Sequence, residues 1–289
     1  MSELHGLTIL MLMVSGFFIG VLGSVLGIGG GVFIVPLLVL VLKLPIQQAI
    51  AVSLVAIIAT SSAVAAVNVE RGLTNMRLGI VLEMTTAVGA IGGALLLNAL
   101  PARWLQSLFA VMLGPVAVLM FWKGWRTLRR AALPAAAADR TTIGHLAPGC
   151  FDTEFHDPAV GAQIPYAVRN LVPAAGASLV AGAMSGLLGL GGGIIQVPVM
   201  NLVCGVPIKA ATATSNFLIG VSAAASALIF LRQGLILPDL AATVVAGVLL
   251  GSFVGIRVLY KIRAEKLQMA FAVLMVLMAA KMLVKAFQS

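Results

Sequence analysis

The stretch that decides the fold is Gly27-Ile28-Gly29-Gly30-Gly31-Val32-Phe33-Ile34-Val35-Pro36. It returns 162 positions later as Gly189-Leu190-Gly191-Gly192-Gly193-Ile194-Ile195-Gln196-Val197-Pro198. The same offset, without a gap, joins Gly20 to Gly182, Pro45 to Pro207 and Phe109 to Phe271. Chance does not hold one register over so long a stretch. The chain is therefore predicted to be a tandem repeat.

The composition is that of a membrane protein. Of the 289 residues, 61% are hydrophobic and 9% are charged, whereas about a quarter of the residues in a soluble domain are charged. Apolar runs long enough to cross a bilayer follow one another along the chain. The net charge of +9 is typical of basic residues flanking membrane helices, and no nucleic-acid partner is predicted. We expect an all-α polytopic membrane protein in contact with the lipid bilayer.

The chain divides into two membrane repeats, residues 1–124 and 171–289, joined by a polar linker at 125–170. Each repeat parses into five segments, which predicts about 8–10 transmembrane segments in all. The second segment of each repeat, Val32–Leu42 or Ile194–Cys204, is unusually short. Eleven helical residues reach about 16 Å, roughly half of a ~30 Å hydrocarbon core. Glycines before it and a proline within it predict a broken backbone, which is tolerated at this depth only inside protein or beside a wet cavity.

The distribution of basic residues favours an inverted topology. With the short segments as returning halves of hairpins, most of the 18 Lys and Arg residues fall on the side of the central linker, which is then cytoplasmic. Five segments per repeat make the second repeat enter from the opposite face. We expect inverted repeats related by a two-fold axis in the membrane plane, with a binding site where they meet. The sequence does not specify a homo-oligomeric state.

The glycine triplets are the first candidates for a ligand site. Glycine lets the backbone approach a ligand, and the helix that follows offers unpaired N–H groups and a positive dipole end. The alternative role is helix packing, but packing motifs space small residues by four. The substrate-binding candidates of this class are Gly29, Gly30, Gly31, Gly191, Gly192 and Gly193.

Polar side chains in the third segments are the second group of candidates. Thr214, Ser215 and Asn216 lie together in the second repeat, and Ser53 lies in the corresponding helix of the first. Convergent hydroxyls suit the oxygen atoms of a small anion. Back-bonding of Ser and Thr to helical carbonyls is the competing explanation. Gln196 stands where the first motif has an isoleucine, and it is expected to make the two half-sites unequal.

Glu83 is the one carboxylate placed well inside an apolar segment. Charged groups within a membrane are rare and mark ion or proton pathways, so Glu83 is the candidate for proton coupling. The alternatives are an ion pair with Arg71 or Arg77 and an interfacial position that reaches water.

The chain shows no constellation typical of an enzyme. His, Cys, Asp and Glu residues occur between positions 145 and 157 of the linker, but their spacing matches no structural zinc pattern. No nucleophile–base pair, phosphate loop or dinucleotide fingerprint is present. We predict a protein that is not an enzyme, without a metal or a cofactor.

The doubled motif resembles the sulfite exporter TauE/SafE family. A Gly-x-Gly-Gly-Gly run with a proline five residues later occurs twice, each time ahead of a helix rich in Ala, Thr and Ser. The resemblance covers both halves of the chain and leaves out the linker. It implies a permease of the bacterial inner membrane for sulfur-containing anions such as sulfite, thiosulfate or organosulfonates. The motif maps onto Gly27, Gly29, Gly30, Gly31 and Pro36, and onto Gly189, Gly191, Gly192, Gly193 and Pro198.

The expected function is secondary active transport of a small sulfur-containing anion by alternating access, with a proton as the candidate coupling ion. Two alternatives stay open. One is a membrane-embedded sensor or scaffold that acts through the linker, and the other is an anion channel with the same architecture. The direction of transport does not follow from the residues.

Overall fold

A computed structural model describes residues 2–26, 29–131, 153–157, 162–259 and 264–288. Within these ranges the chain is almost entirely helical, which confirms the predicted all-α membrane class. A 3-10 turn, Leu97–Ala99, extends the fourth helix, and a π-helix, Val199–Val203, extends the seventh. The α-helices are α1 Ser2–Leu26, α2 Gly31–Leu40, α3 Ile46–Glu70, α4 Met76–Leu96, α5 Ala102–Ala131, α6 Leu171–Leu188, α7 Gly193–Pro198, α8 Ile208–Arg232, α9 Pro238–Leu259 and α10 Ala264–Gln288.

Five helices of the described residues are long and apolar enough to cross a membrane. They are α3, α4 with its 3-10 turn, α6, α8 and α9. Shorter apolar helices cover Thr8–Ser24, Gly31–Leu40 and Gly193–Val203. The chain is therefore a multi-pass membrane protein, and the total of 8–10 segments stays a prediction.

Each short helix begins at the third glycine of its triplet, directly after the first two glycines turn the backbone. Gly30 and Gly192 have φ angles of 79° and 70°, in the left-handed region that glycine enters without strain. The prolines do not mark the helix starts. Pro36 lies inside α2, and Pro198 ends α7, where the chain continues as a π-helix. The break in the backbone thus lies at the glycines.

The helices of the two repeats pack on each other in a reciprocal pattern. At the offset of 162 residues, α1 corresponds to α6 and α4 to α9. The most extensive contacts join α1 to α9 and α4 to α6, so the first helix of each repeat packs on the fourth of the other. The third helices, α3 and α8, pack on each other, and so do the fifth helices, α5 and α10. This reciprocal packing is a two-fold pattern, and it surrounds the short helices with both repeats.

Glycines allow the close approach of α4 to α6 and of α1 to α9. A methyl group added to Gly182 would overlap the carbonyl oxygen of Thr86, and one added to Gly20 would overlap that of Val248. These two pairs are related by the repeat offset. Gly89, Gly93, Gly251 and Gly255 are packed closely against the facing helix in the same way, as is typical of small residues between membrane helices.

The segment between the repeats contains a β-hairpin that the sequence analysis did not predict. Strand β1, Thr153–Asp157, pairs antiparallel with β2, Ala162–Tyr166, and Phe155 lies opposite Ile164. After β2 the chain returns to the membrane helices, where the N–H of Arg169 donates to the carbonyl of Cys204 over 3.1 Å. The potential metal-ligating positions from 145 to 152 lie outside the described residues.

Candidate functional site

The two glycine motifs meet in the interior of the protein. Gly31 lies directly against the carbonyl oxygen of Gly189, with no room for a methyl group between them. Gly29 faces Ile57 of α3 and Ile219 of α8, which are equivalent residues of the two repeats. All glycines from 29 to 31 and from 189 to 193 are buried. Gly27, the first glycine of the motif, lies outside the described residues.

The start of α2 presents backbone donors at this junction. The N–H groups of Phe33 and Ile34 donate to the carbonyl of Gly30 over 3.0 and 3.2 Å. The N–H groups of Gly31 and Val32 have no acceptor within the described residues. The first N–H groups of a helix have no intrahelical partner, and they bind anions where one can approach.

Ser53 joins α3 to the second glycine motif. Its hydroxyl lies 2.8 Å from the carbonyl oxygen of Ile50 and 3.1 Å from that of Gly189. The first contact is the back-bond that the sequence analysis named as an alternative, and the second crosses between the repeats. Ser215, the equivalent residue of α8, is fully buried, and its hydroxyl has no partner among the residues described.

Thr214 of α8 contacts the start of α4. Its Oγ1 accepts a hydrogen bond of 3.0 Å from the N–H of Asn75, while the Asn75 side chain accepts from the N–H of Leu78 over 3.1 Å and caps α4. Thr214 therefore has a structural partner in this conformation. Asn216, two residues further along α8, is buried with 2% of its surface exposed.

Gln196 is buried in α7 and is bound to the neighbouring helix α4. Its Nε2 donates to Thr86 Oγ1 over 2.8 Å, and Thr86 Oγ1 lies 2.8 Å from the carbonyl of Leu82. The side-chain oxygen of Gln196 has no partner in the described part of the chain. The sequence analysis missed Thr86. A comparison of the two repeats could have found it. Thr86 and Gln196 are both polar, whereas their counterparts in the other repeat, Val248 and Ile34, are apolar.

Ser185 is a second residue that sequence reasoning missed. Its Cβ is 3.5 Å from the position that a Cβ on Gly192 would occupy, so it lies beside the second glycine turn. Its hydroxyl is buried and, like that of Ser61 on α3, has no partner among the described residues. Because a buried polar group without a partner is costly, such hydroxyls mark positions where a polar ligand binds or a water molecule bridges.

Glu83 lies on α4 one turn before Thr86, with 7% of its surface exposed. Neither of its carboxylate oxygens has a hydrogen-bond partner within the described ranges, and it pairs with neither Arg71 nor Arg77. The alternative of an ion pair is therefore not formed among the described residues, and the burial of Glu83 does not fit the alternative of an interfacial side chain that reaches water. Glu83 instead lies in the interior of the helix bundle.

Comparison with known proteins gives a family. The family model described as "Sulfite exporter TauE/SafE" matches residues 12–282. The chain is 25% identical over 284 residues to "Probable membrane transporter protein YunE" of Bacillus subtilis (strain 168), covering 96% of this chain and 98% of that protein. It is also 34% identical over 104 residues to "Probable membrane transporter protein YdhB" of the same organism, covering 36% of this chain and 42% of that protein.

No solved structure shows a significant match to the chain. The family model covers both repeats and the segment between them, and the relative that aligns over nearly the whole chain is named a transporter. The chain therefore belongs to the sulfite exporter TauE/SafE family and is a multi-pass membrane transporter.

Proposed function

We propose that the protein is a secondary active transporter that moves a small sulfur-containing anion across the inner membrane of a bacterium. The observation that carries the proposal is the contact between Gly31 and the carbonyl of Gly189, because it brings the two glycine motifs together in the protein interior. The description of the matching family names a sulfite exporter, which supports a sulfur-containing anion as the substrate. We propose sulfite, thiosulfate or an organosulfonate as members of that class.

The chemistry around the junction suits a small oxyanion. The N–H groups of Gly31 and Val32 supply donors at the start of a ten-residue helix, where the dipole favours negative charge. Buried hydroxyls of Ser185 and Ser215 supply further donors. Fixed donors of this kind replace the hydration shell that the anion leaves behind in water. The glycines are required because any side chain at these positions would fill the space next to the backbone.

Inverted repeats are part of the proposal, and helix directions support them. Thr214 of α8 contacts Asn75 at the start of α4, and Ser226 Oγ donates to the carbonyl of Ala90 further along α4 over 3.2 Å. Helices α8 and α4 therefore run in the same direction.

The short connection between α3 and α4 completes this argument. The chain passes from Glu70 to Asn75 in five residues, which span at most about 18 Å and cannot recross a ~30 Å core. Helix α3 thus ends on the face of the membrane where α8 begins. Since α3 and α8 are equivalent in the two repeats, this geometry favours two copies inserted in opposite directions, as in transporters that work by alternating access.

Glu83 is the proposed site for the coupling proton. A carboxylate without a cation or a donor is costly to bury, so Glu83 suits a cycle in which it carries a proton through the closed state and releases it when the site opens. Titratable residues within membrane helices have this role in other pumps and transporters.

The test is transport by the purified protein in liposomes. Sulfite, thiosulfate, sulfoacetate and taurine are offered separately, with and without a pH gradient across the membrane. The proposal predicts saturable flux of at least one sulfur-containing anion that responds to the pH gradient. Flux that does not saturate would identify a channel, and liposomes that accumulate none of these anions would refute the proposed substrate class.

A further inference from the structure

Several buried polar groups of the second half-site have no polar counterpart in the first. Each of four polar residues around the second motif has an apolar or glycine counterpart at the offset of 162 residues. The pairs, polar residue first, are Gln196 and Ile34, Thr86 and Val248, Ser185 and Gly23, and Glu83 and Val245. All four polar residues are buried. The helices thus follow a two-fold pattern, but these four polar side chains occur on only one side of it.

The orientation of the Gln196 amide is fixed by Thr86. The Thr86 hydroxyl has one proton, and its oxygen lies 2.8 Å from the carbonyl of Leu82 in its own helix, a carbonyl that can only accept. With its proton given to Leu82, the Thr86 oxygen accepts from Gln196, over 2.8 Å. The NH₂ group of the amide is therefore held toward Thr86, and the amide oxygen points away from it.

The Gln196 amide oxygen is then a buried acceptor without a donor. Gln196 is 1% exposed, and Oε1 has no partner among the residues that the structure describes. Burial of an acceptor without a hydrogen bond is unfavourable. The oxygens of Glu83, which lies one turn before Thr86 on α4, have no donor either in the described residues. Gln196 Oε1 thus lacks a hydrogen-bond donor, which a ligand could bring.

We propose that Gln196, positioned by Thr86, selects anions that also carry a hydrogen-bond donor. The donor is either the O–H of a singly protonated sulfur oxyanion or an O–H or N–H on the carbon chain of a sulfonate. In both cases the anionic oxygens bind the junction and the donor hydrogen-bonds to Gln196 Oε1. This inference rests on the proposed function and specifies which members of the substrate class are bound.

Matched pairs of anions test the inference. Hydrogen sulfite and methanesulfinate differ by O–H against CH₃, and 2-hydroxyethanesulfonate and ethanesulfonate differ by one hydroxyl. Binding of each anion to the full-length protein in detergent is measured through the rise in unfolding temperature with anion concentration. The wild type is expected to bind the donor-bearing member of at least one pair about tenfold or more tightly than its partner, because the analogue leaves Gln196 Oε1 unpaired.

Variants assign the discrimination to the two residues. Gln196→Met keeps the length of the side chain and removes the acceptor, so the ratio of affinities within the pair falls to about one. Thr86→Val keeps the shape of the side chain but removes the oxygen that accepts from the Gln196 amide, so the ratio of affinities falls. Thr86→Ser keeps that oxygen and keeps the ratio of the wild type. Val248→Thr, at the repeat counterpart of Thr86, is the control and leaves the ratio unchanged. A purely structural role of Thr86 would change both affinities alike and leave the ratio intact.

Each outcome is decisive for one of the two proposals. Equal binding of both members of each pair by the wild type, or an unchanged ratio in Gln196→Met, overturns this inference and leaves anion transport standing. Failure of all four anions to bind, together with no flux in the liposome screen, overturns the proposed function itself.

Discussion

Gly31, at the start of α2, lies against the carbonyl oxygen of Gly189, at the end of α6, so closely that a methyl group on Gly31 would overlap it. The two residues belong to different copies of the repeat and lie at different positions in the copied motif. The contact therefore joins the glycine motif of the second repeat directly to the start of α2 in the first repeat. In the proposed alternating-access cycle, any movement of one repeat relative to the other changes this contact.

The Gly31→Ala variant tests this contact. The added methyl group meets the Gly189 carbonyl and the side chain of Ile57, and overpacking of this kind costs about 1–3 kcal/mol. We expect loss of most transport in liposomes and a lower unfolding temperature in detergent. Gly92→Ala, where nothing lies within 4 Å of the new methyl group, is the control and retains both. Normal transport by Gly31→Ala would show that the contact has no part in the cycle.

Glu83→Gln tests proton coupling. The amide has the size of the carboxyl group but cannot exchange a proton, so the response of anion flux to a pH gradient is expected to disappear while anion binding remains. The measurement is flux with and without the gradient, at matched protein density. Glu70→Gln, on an exposed residue at the end of α3, keeps the response. A pH response in Glu83→Gln equal to that of the wild type would rule out Glu83 as the coupling site.

Gly182→Val tests the packing between α4 and α6. The new side chain cannot be accommodated next to the carbonyl of Thr86, so the two helices are forced apart and the unfolding temperature in detergent falls. The expected cost is about 1–3 kcal/mol or more. Gly176→Val on the same helix has no atom within 4 Å of its Cβ and serves as the control. Equal stability of the two variants would contradict the packing described for this interface.

Lys285 offers a test at the other end of α2. Its Nζ donates to the carbonyl of Val39 over 2.7 Å, which places a cation at the helix C-terminus, where the dipole is negative. Lys285→Met is expected to destabilise the protein by about 1–2 kcal/mol. Lys281→Met, at an exposed position of the same helix, is expected to be neutral. The unfolding temperatures of the two variants are compared. Equal temperatures would contradict the capping role of Lys285.

Much of the fold could be predicted from the sequence. The apolar runs indicate membrane helices, and the repeat shows which helices correspond. The short segment that the sequence predicts at Val32–Leu42, for example, is the helix Gly31–Leu40. The glycine turns were predictable because three successive glycines oppose helix formation. The positions of the prolines within the short helices were not, since neighbouring helices in a bundle can satisfy the carbonyl that a proline leaves unpaired. The hairpin at Thr153–Tyr166 has strands of five residues, too short for a clear alternating pattern.

The candidate site was predictable in part. The motif identified the glycines, and the contact of Gly31 with Gly189 depends on an association of the repeats that no local pattern encodes. Thr86 and Ser185 were missed because a single hydroxyl in an apolar helix is usually back-bonded. Their significance comes from neighbours that are distant in sequence, such as Gln196, which is bound to Thr86 across 110 residues. Comparison of the two repeats position by position recovers this signal, because Thr86 and Gln196 both replace apolar residues.

The central claim is that the two glycine motifs bind the transported anion between the repeats. The most direct test is a crystal structure of the protein with selenite, the selenium counterpart of sulfite, located by its anomalous scattering. We predict a selenium peak beside the N–H groups of Gly31 and Val32, close enough for the selenite oxygens to accept hydrogen bonds from them, on the side facing residues 189–193. A peak at any other place in the protein, with the space between the motifs closed to the anion, would contradict the account.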